Sequence, residues 1–391
     1  MARTMSVAQR RARLGIRHRL AYEARAETPE EVAESLLALH ATDPASVYLA
    51  AAARTTEPSV SGLESALYER RTLVRMLGMR RTMFVVPTDV APLVQDGCAA
   101  DIERKQRRLL LQHLEQTGID GLDAWLRDVE DGTLRALRAR GSAHAQQLAA
   151  DEPRLRTEIV MAAGKPYEAR GYITNRVLFL LAVSGRIVRG RPRGTWLSQQ
   201  YEWAPAGDWL PGGLAGPGPE AARVELARRW LAAYGPGQVS DLVWWTGWTA
   251  GQARKALAAL DTETVDLDGI PGVLLADDAE DVPEPEPWVA LLPALDPTAM
   301  GWAERGWFVG EHRAALFDRT GNIGPTVWSD GRVVGGWAQR PDGEVVVRLL
   351  ADPGAGASAA IDAEAARLTA WLGPVRVVPR FRTPVEKELS S

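Results

Sequence analysis

Apolar residues keep a helical period over long stretches of this chain and switch locally to alternation. Behind Thr28-Pro29-Glu30-Glu31, the residues Val32, Leu36 and Leu39 recur at three- and four-residue spacing, which lines one face of a helix. The tetrapeptide itself provides a capping hydroxyl, a proline at the first helical position and a glutamate at the third. The pattern predicts helices over Val7–Ala24, from Pro29 to Leu39, from Pro44 onward and over Ser61–Arg70. A hairpin of Leu73–Leu77 and Thr82–Val86 about Gly78 follows. A second pass begins near Leu122: Leu134–Arg140 ends a helix at Gly141, Ser142 caps Ala143–Ala150, and Tyr172–Ser184 is an apolar helix closed by Gly185. Arg186–Arg189 and Thr195–Tyr201 then read as strands. In a third pass, the helices Ala221–Tyr234, Val239–Thr246 and Ala250–Leu260 precede a hairpin of Val265–Leu267 and Val273–Leu275 around Asp268-Gly269.

Helices followed by a hairpin are the winged-helix arrangement, a variant of the helix-turn-helix. From about Glu284 the pattern changes. Trp288–Leu295, Gly306–Val309, Ala314–Asp318, Thr326–Trp328, Arg332–Trp337 and Val345–Leu350 read as strands, Ala360–Leu372 as a helix and Val375–Arg382 as a last strand. The expected fold is therefore α+β: three tandem winged-helix units followed by a C-terminal β-rich, barrel-like module. The expected boundaries are 1–118, 119–211, 212–283 and 284–391, with loops at Gly212–Pro219 and Asp277–Pro287.

Composition narrows the class. Hydrophobic residues form 46% and charged residues 25% of the 391, the balance of a folded soluble domain. No apolar run approaches the roughly 20 residues of a membrane span, and the arginine-rich N-terminus lacks a signal peptide's apolar block. The expectation is a cytoplasmic protein. Cys98 is the single cysteine, so no disulfide framework or thiolate metal site is expected. The five histidines form no metal-type pair, and no metal or other cofactor is expected. The net charge of −4 is unevenly spread. Residues 1–200 hold 30 Lys and Arg against 23 Asp and Glu, a balance of +7, and residues 201–391 hold 16 against 27, a balance of −11. The basic half suits a polyanionic partner, although an arginine-heavy composition alone would give the same excess.

The hairpins supply candidate DNA contacts. Arg186, Arg189, Arg191 and Arg193 fall within eight residues on the second hairpin, and Arg75, Arg80 and Arg81 lie on the first. Such wings reach phosphate or minor groove. Arg104, Lys105, Arg107 and Arg108 form a further basic cluster on a helix. The tryptophans Trp244, Trp245 and Trp248 are read as core, as are Trp302, Trp307, Trp328 and Trp337.

Four blocks carry a resemblance. They are Leu39-His40-Ala41-Thr42-Asp43-Pro44, the stretch Val74–Pro87, Leu292-Pro293-Ala294-Leu295-Asp296-Pro297, and the stretch Pro325–Trp337. In order and content they are similar to the crosslink-repair DNA glycosylase family (AlkZ/YcaQ type). The resemblance implies tandem winged helices with a C-terminal β-rich module, and metal-free hydrolysis of the N-glycosidic bond of bulky N-alkylated purines in double-stranded DNA. It also places the family's catalytic Gln-x-Gln or Gln-x-Asp pair on His40 and Thr42, a departure in both side chains. A neutral imidazole orients water well near pH 7, the Thr42 hydroxyl offers that water a second hydrogen bond, and Asp43 places a carboxylate nearby. Against these roles stand simpler ones: Asp43 before Pro44 as a helix cap, His40 as a residue satisfied at a helix end and Thr42 as a turn residue. The functional expectation is a monofunctional DNA glycosylase acting as a monomer, with a non-enzymatic winged-helix DNA-binding protein as the alternative.

Overall fold

The computed structural model describes residues 3–161, 164–166 and 168–391. The chain forms two compact units. One comprises Met1–Leu73, Phe84–Pro87 and Arg223–Ser391, and the other Val74–Met83 and Thr88–Ala222. This division is coarser than the four segments read from the sequence, and it unites the two chain ends in one unit.

The first unit opens with strand β1 (Arg3–Thr4) and helix α1 (Val7–Arg17), whose first turn is capped by the Ser6 hydroxyl. The helix stops well short of Ala24 because Arg19 adopts a positive φ of 57°, and the N–H groups of Leu20 and Ala21 turn back to Gly15 O. Helix α2 (Pro29–Ser35) begins as expected, with the Thr28 hydroxyl accepting from Glu31 N–H at 3.2 Å. It ends early: Leu37 turns at φ 62°, and Leu39–His40 becomes strand β2. Leu36 through Leu39 are all buried, and a short apolar run fits a buried strand as well as a helix face. Helix α3 (Pro44–Ala52) is buried along its whole length, and α4 (Val60–Glu64) passes into a single π-helical turn over Ser65–Glu69. Strand β3 (Leu73–Leu77) carries the chain into the second unit, and β4 (Met83–Pro87) brings it back. In the β2–β4 pair, Leu39 stands opposite Val85 and His40 opposite Phe84.

The second unit holds α5 (Ala91–Val94), a π-helical turn over Gln95–Ala99, α6 (Ala100–Leu114), α7 (Leu122–Arg140) and α8 (Ala145–Asp151). The cap of α8 is His144, paired reciprocally with Gln147. Ser142, expected in that role, donates to Glu202 instead. A hairpin of β5 (Glu158–Met161) and β6 (Ala169–Tyr172) precedes α9 (Thr174–Val183). It was not legible in the sequence, since β6 is largely exposed and spells Ala-Arg-Gly-Tyr. Strands β7 (Ile187–Pro192) and β8 (Tyr201–Pro205) form the next hairpin, with Arg189 opposite Trp203, and α10 (Ala206–Trp209) follows. Ala143 bridges to Trp203, adding a short third segment beside β8. The apolar faces of α6, α7, α8 and α9 share one core with Ile159 and Ile187.

Helix α11 (Pro219–Tyr234) returns the chain to the first unit, followed by α12 (Val239–Thr246) and α13 (Ala250–Leu257). Strands β9 (Thr262–Leu267) and β10 (Ile270–Leu275) pair around Asp268 and Gly269, at φ 54° and 87°. A two-residue turn of this kind requires two left-handed residues, and Asp-Gly adopts it readily. Strand β1 adds parallel to β9, burying Met5 against Val265, Leu267 and Leu274.

The C-terminal part corrects the expectation of a barrel. Strands β11 (Val289–Leu292), β12 (Thr326–Ser329), β13 (Arg332–Gln339) and β14 (Val345–Leu349) form an open antiparallel sheet in that order. The stretches Gly306–Val309 and Ala314–Asp318, read as strands, contain instead helical turns α14 (Gly306–Val309) and α15 (Arg313–Leu316). Their β-forming residues are overridden by packing, since Phe308, Val309 and Leu316 are buried. Helix α16 (Ala355–Leu372) packs against both outer strands, β11 and β14, of the open sheet. Val375–Arg382 forms no strand and bends at Arg380 and Phe381, and α17 (Pro384–Leu389) lies on β13 and β14. Pro379 inside that segment disfavours a ladder. Of the expected core tryptophans, Trp245, Trp248, Trp302, Trp328 and Trp337 are buried, whereas Trp244 and Trp307 are half-buried; Trp302 stacks edge-on to Tyr234 and Trp307. No helix among the described residues is long and apolar enough to cross a membrane.

Candidate active site and nucleic-acid interface

The His40–Asp43 corner is built by a strand that ends abruptly. His40, 6% exposed, sits on β2 with its ring edge-on to Phe84 at 5.4 Å. Thr42, partly exposed, lies between β2 and α3. Asp43 is also 6% exposed, and both carboxylate oxygens are engaged by main-chain groups. Oδ1 accepts from Ala45 N–H at 3.2 Å, capping α3, and Oδ2 accepts from Arg380 N–H at 2.9 Å. Burial pushes the Asp43 carboxyl up, and the two N–H donors and the Arg380 charge only partly offset it. The Arg380 guanidinium reaches Thr42 O at 3.4 Å. Arg380 was missed in the sequence because its segment read as a strand.

A second Asp-Pro corner lies beside the first. Ser46 donates to Ala294 O at 2.6 Å, and a cavity of about 10 Å3, room for one water, is lined by Asp43, Ser46, Pro293, Ala294 and Pro379 among others. In this second corner Asp296 is fully buried and holds Arg54 through two hydrogen bonds of 2.6 and 2.9 Å. Arg54 also donates to Thr298 Oγ1, which contacts His18 Nδ1 at 2.8 Å. His18 Nε2 lies 3.0 Å from Ala233 O. Burial first, and the Arg54 charge second, push His18 down to about 3. This imidazole is neutral at physiological pH.

The arginines meet different fates within the second unit. Arg75 is 2% exposed; its guanidinium donates to the Tyr201 hydroxyl and lies over that ring. It presents no face to a ligand, contrary to its expected place on a DNA-facing hairpin. Arg189 stacks over Tyr201 and Trp203 at 5.2 and 5.3 Å. Arg186 pairs with Asp131 and approaches Glu130 at 3.8 Å, tying β7 to α7. Arg191 and Arg193 are exposed. Arg80 and Arg81 are consecutive left-handed residues at φ 54° and 61°, a conformation that costs roughly 1–3 kcal/mol each. Burial lowers Arg80 to about 10, still protonated at neutral pH, whereas Arg81 is exposed and reaches over Phe179. In the helical basic cluster, Arg104 pairs with Asp101 and Arg107 with Glu130. The described residues include no group of acidic, His or Cys side chains arranged to hold a metal ion.

A family model described as DNA glycosylase AlkZ-like matches residues 33–371. The chain belongs to the AlkZ-like DNA glycosylase family. The match contains the His40–Asp43 corner, the arginine hairpins and the Asp296 corner. An interstrand DNA cross-link repair glycosylase from Streptomyces sahachiroi is 30% identical over 216 residues, which is 52% of this chain and 57% of that protein. The aligned stretch thus spans little more than half the length of that relative. The solved structure of the Streptomyces sahachiroi DNA glycosylase AlkZ superimposes with a TM-score of 0.72 at 21% identity, covering 94% of this chain and 97% of that one. The mixed α+β fold is therefore shared with this AlkZ-like protein.

Proposed function

We propose that this protein is a monofunctional DNA glycosylase that hydrolyses the N-glycosidic bond of bulky N-alkylated purines in double-stranded DNA. The observation that carries the reading is the family match, which runs through the corner where His40 and Thr42 stand. An N3- or N7-alkylated purine is cationic and departs as a neutral base when it takes the bonding electron pair from C1′. The protein's task is then to place one water against C1′ and to favour the developing positive charge on the sugar. His40 accepts the proton of that water, Thr42 orients it, and Asp43 holds the corner while adding a negative field. Neither a metal nor a cofactor is required for these roles.

The second unit supports this reading by its order of elements. Helix α7, the Ala143 bridge, α8, α9 and the β7–β8 hairpin are read as a winged helix with the β5–β6 hairpin inserted before α9. The helices α11 to α13 with the β9–β10 hairpin make a second such unit, and the first quarter of the chain a third. Arg81, Arg191 and Arg193 are then the phosphate contacts, and Arg75, Arg186 and Arg189 hold the hairpins that carry them. The chain works as a monomer in this reading.

A second reading, a DNA-binding protein without hydrolytic activity, is favoured by the low exposure of His40 and Asp43. One experiment separates the two. Duplex DNA carrying a single N7-alkylguanine of increasing bulk is incubated with the protein and with His40→Ala, and abasic sites are revealed by alkaline cleavage. Release by the native protein that is lost in the variant supports the glycosylase. Salt-sensitive binding without release supports the binder.

A further inference from the structure

The segment 374–382 carries three arginines, of which Arg380 reaches the His40–Asp43 corner. The guanidinium of Arg376 is spent on the carbonyls of Pro341, Asp342, Gly373 and Val375. That of Arg382 is spent on both oxygens of Glu386. Arg380 is exposed, and its guanidinium makes only the long contact to Thr42 O and a stacking approach to Phe381 at 5.6 Å. Among the described residues no carboxylate forms an ion pair with it.

The segment that carries it is braced. Val377 N–H donates to Gln339 Oε1 at 2.8 Å, Gln339 Nε2 donates to Val375 O at 3.0 Å, and Arg380 N–H is held by Asp43. Thus a solvent-facing cation is carried on a hydrogen-bonded segment against the main chain of Thr42. Most buried or half-buried arginines of this chain have been given a partner, and this one faces solvent at the corner proposed to hold the reactive water.

We infer that Arg380 clasps a DNA backbone phosphate next to the target nucleotide, fixing the sugar against the His40–Thr42 corner. The inference rests on the glycosylase reading and deepens it. A planar guanidinium matches phosphate oxygens in a bidentate fork, and within a DNA strand the sugar that carries a C1′ has a phosphate on its own O5′ and O3′. Arg380 is thereby a positioning residue, and its main-chain hydrogen bond to Asp43 survives any side-chain change except proline.

The test uses the full-length protein and a duplex with a single tetrahydrofuran abasic analogue, which binds but has no base to release. Binding is measured against salt for the native protein, Arg380→Ala and Arg380→Lys, with thermal melting alongside. The expected result for Arg380→Ala is weaker binding, with the slope of log K against log salt reduced by about 0.9, one phosphate contact, and an unchanged melting temperature. Arg380→Lys should restore the slope, because a point charge still neutralises phosphate, but not the rate of base release from an alkylated duplex, because the fork is lost. An unchanged slope in Arg380→Ala while the native protein binds and releases base overturns the inference alone. A lowered melting temperature with an unchanged slope assigns the side chain to bracing and also overturns it. Absence of both release and salt-dependent binding in the native protein removes the glycosylase reading itself.

Discussion

Two corners of the first unit are spelled almost alike and are held differently. Leu39-His40-Ala41-Thr42-Asp43-Pro44 and Leu292-Pro293-Ala294-Leu295-Asp296-Pro297 each run from a buried strand into an Asp-Pro step. Asp296 is fully buried and meets a buried guanidinium, so its charge is neutralised inside the protein. Asp43 accepts hydrogen bonds from two main-chain N–H groups and feels the Arg380 charge without a direct ion pair, and Thr42 stays partly exposed beside it. The contrast teaches that local spelling decides where a chain turns, whereas the partner that arrives from elsewhere decides whether the carboxylate at the turn is paired with a buried cation.

The comparison breaks most visibly at Asp296. Replacing it by alanine leaves Arg54 buried without its carboxylate, and loss of one partner of such a pair costs about 3–5 kcal/mol. Urea unfolding of Asp296→Ala should show a loss of that size; a change below about 1 kcal/mol would mean that Arg54 finds water or another partner. His40→Ala is the complementary change. Removing a positioned general base lowers a rate by about a hundred- to ten-thousand-fold, so base release should collapse in that range while the urea midpoint moves little. Equal losses of stability and activity would make His40 a packing residue.

The pH response sharpens the same distinction, because His18 belongs to the Asp296 corner. Its pKa falls from 6.5 to about 3 on folding, so the unfolded chain binds the proton more tightly. Stability is complete above about pH 6.5 and is lost as the pH falls toward 3, by about 1.4 kcal/mol per pH unit inside that window. Unfolding measured from pH 7 to 4.5 should show this slope, and His18→Gln should flatten it relative to the native protein. The smallest expected effect is at Asp43. Its loss as a cap costs about 0.5–2 kcal/mol, so Asp43→Ala should lower the urea midpoint modestly, and less than Asp296→Ala does. A larger cost at Asp43 would make the two corners alike after all.

Much of the scaffold was legible because its signals are local. Thr28 and Pro29, Asp43 and Pro44, and Asp268 and Gly269 act through hydrogen bonds and φ preferences within a few residues, and each stands where its spelling placed it. The resemblance in short motifs was legible too, and it points to the family whose model spans residues 33–371. What failed was short and apolar or short and basic. The spacing of Val32, Leu36 and Leu39 predicts a helix through Leu39, but pairing with Val85 and Phe84 makes Leu39–His40 a strand. Gly306–Val309 favoured extension locally, yet burial of Phe308 and Val309 made it a helical turn. Arginines of one hairpin were indistinguishable by spacing, although one now lies under a tyrosine ring, one is paired with aspartate, and two reach solvent.

The sequence by itself determined where several helices start and where the chain reverses, since capping and turn geometry need no distant partner. Only the tertiary structure decided which aspartate is neutralised, which histidine is held uncharged and which arginine is left over beside Thr42. Those outcomes depend on side chains more than two hundred residues away in sequence, through burial and the hydrogen bonds that burial makes obligatory.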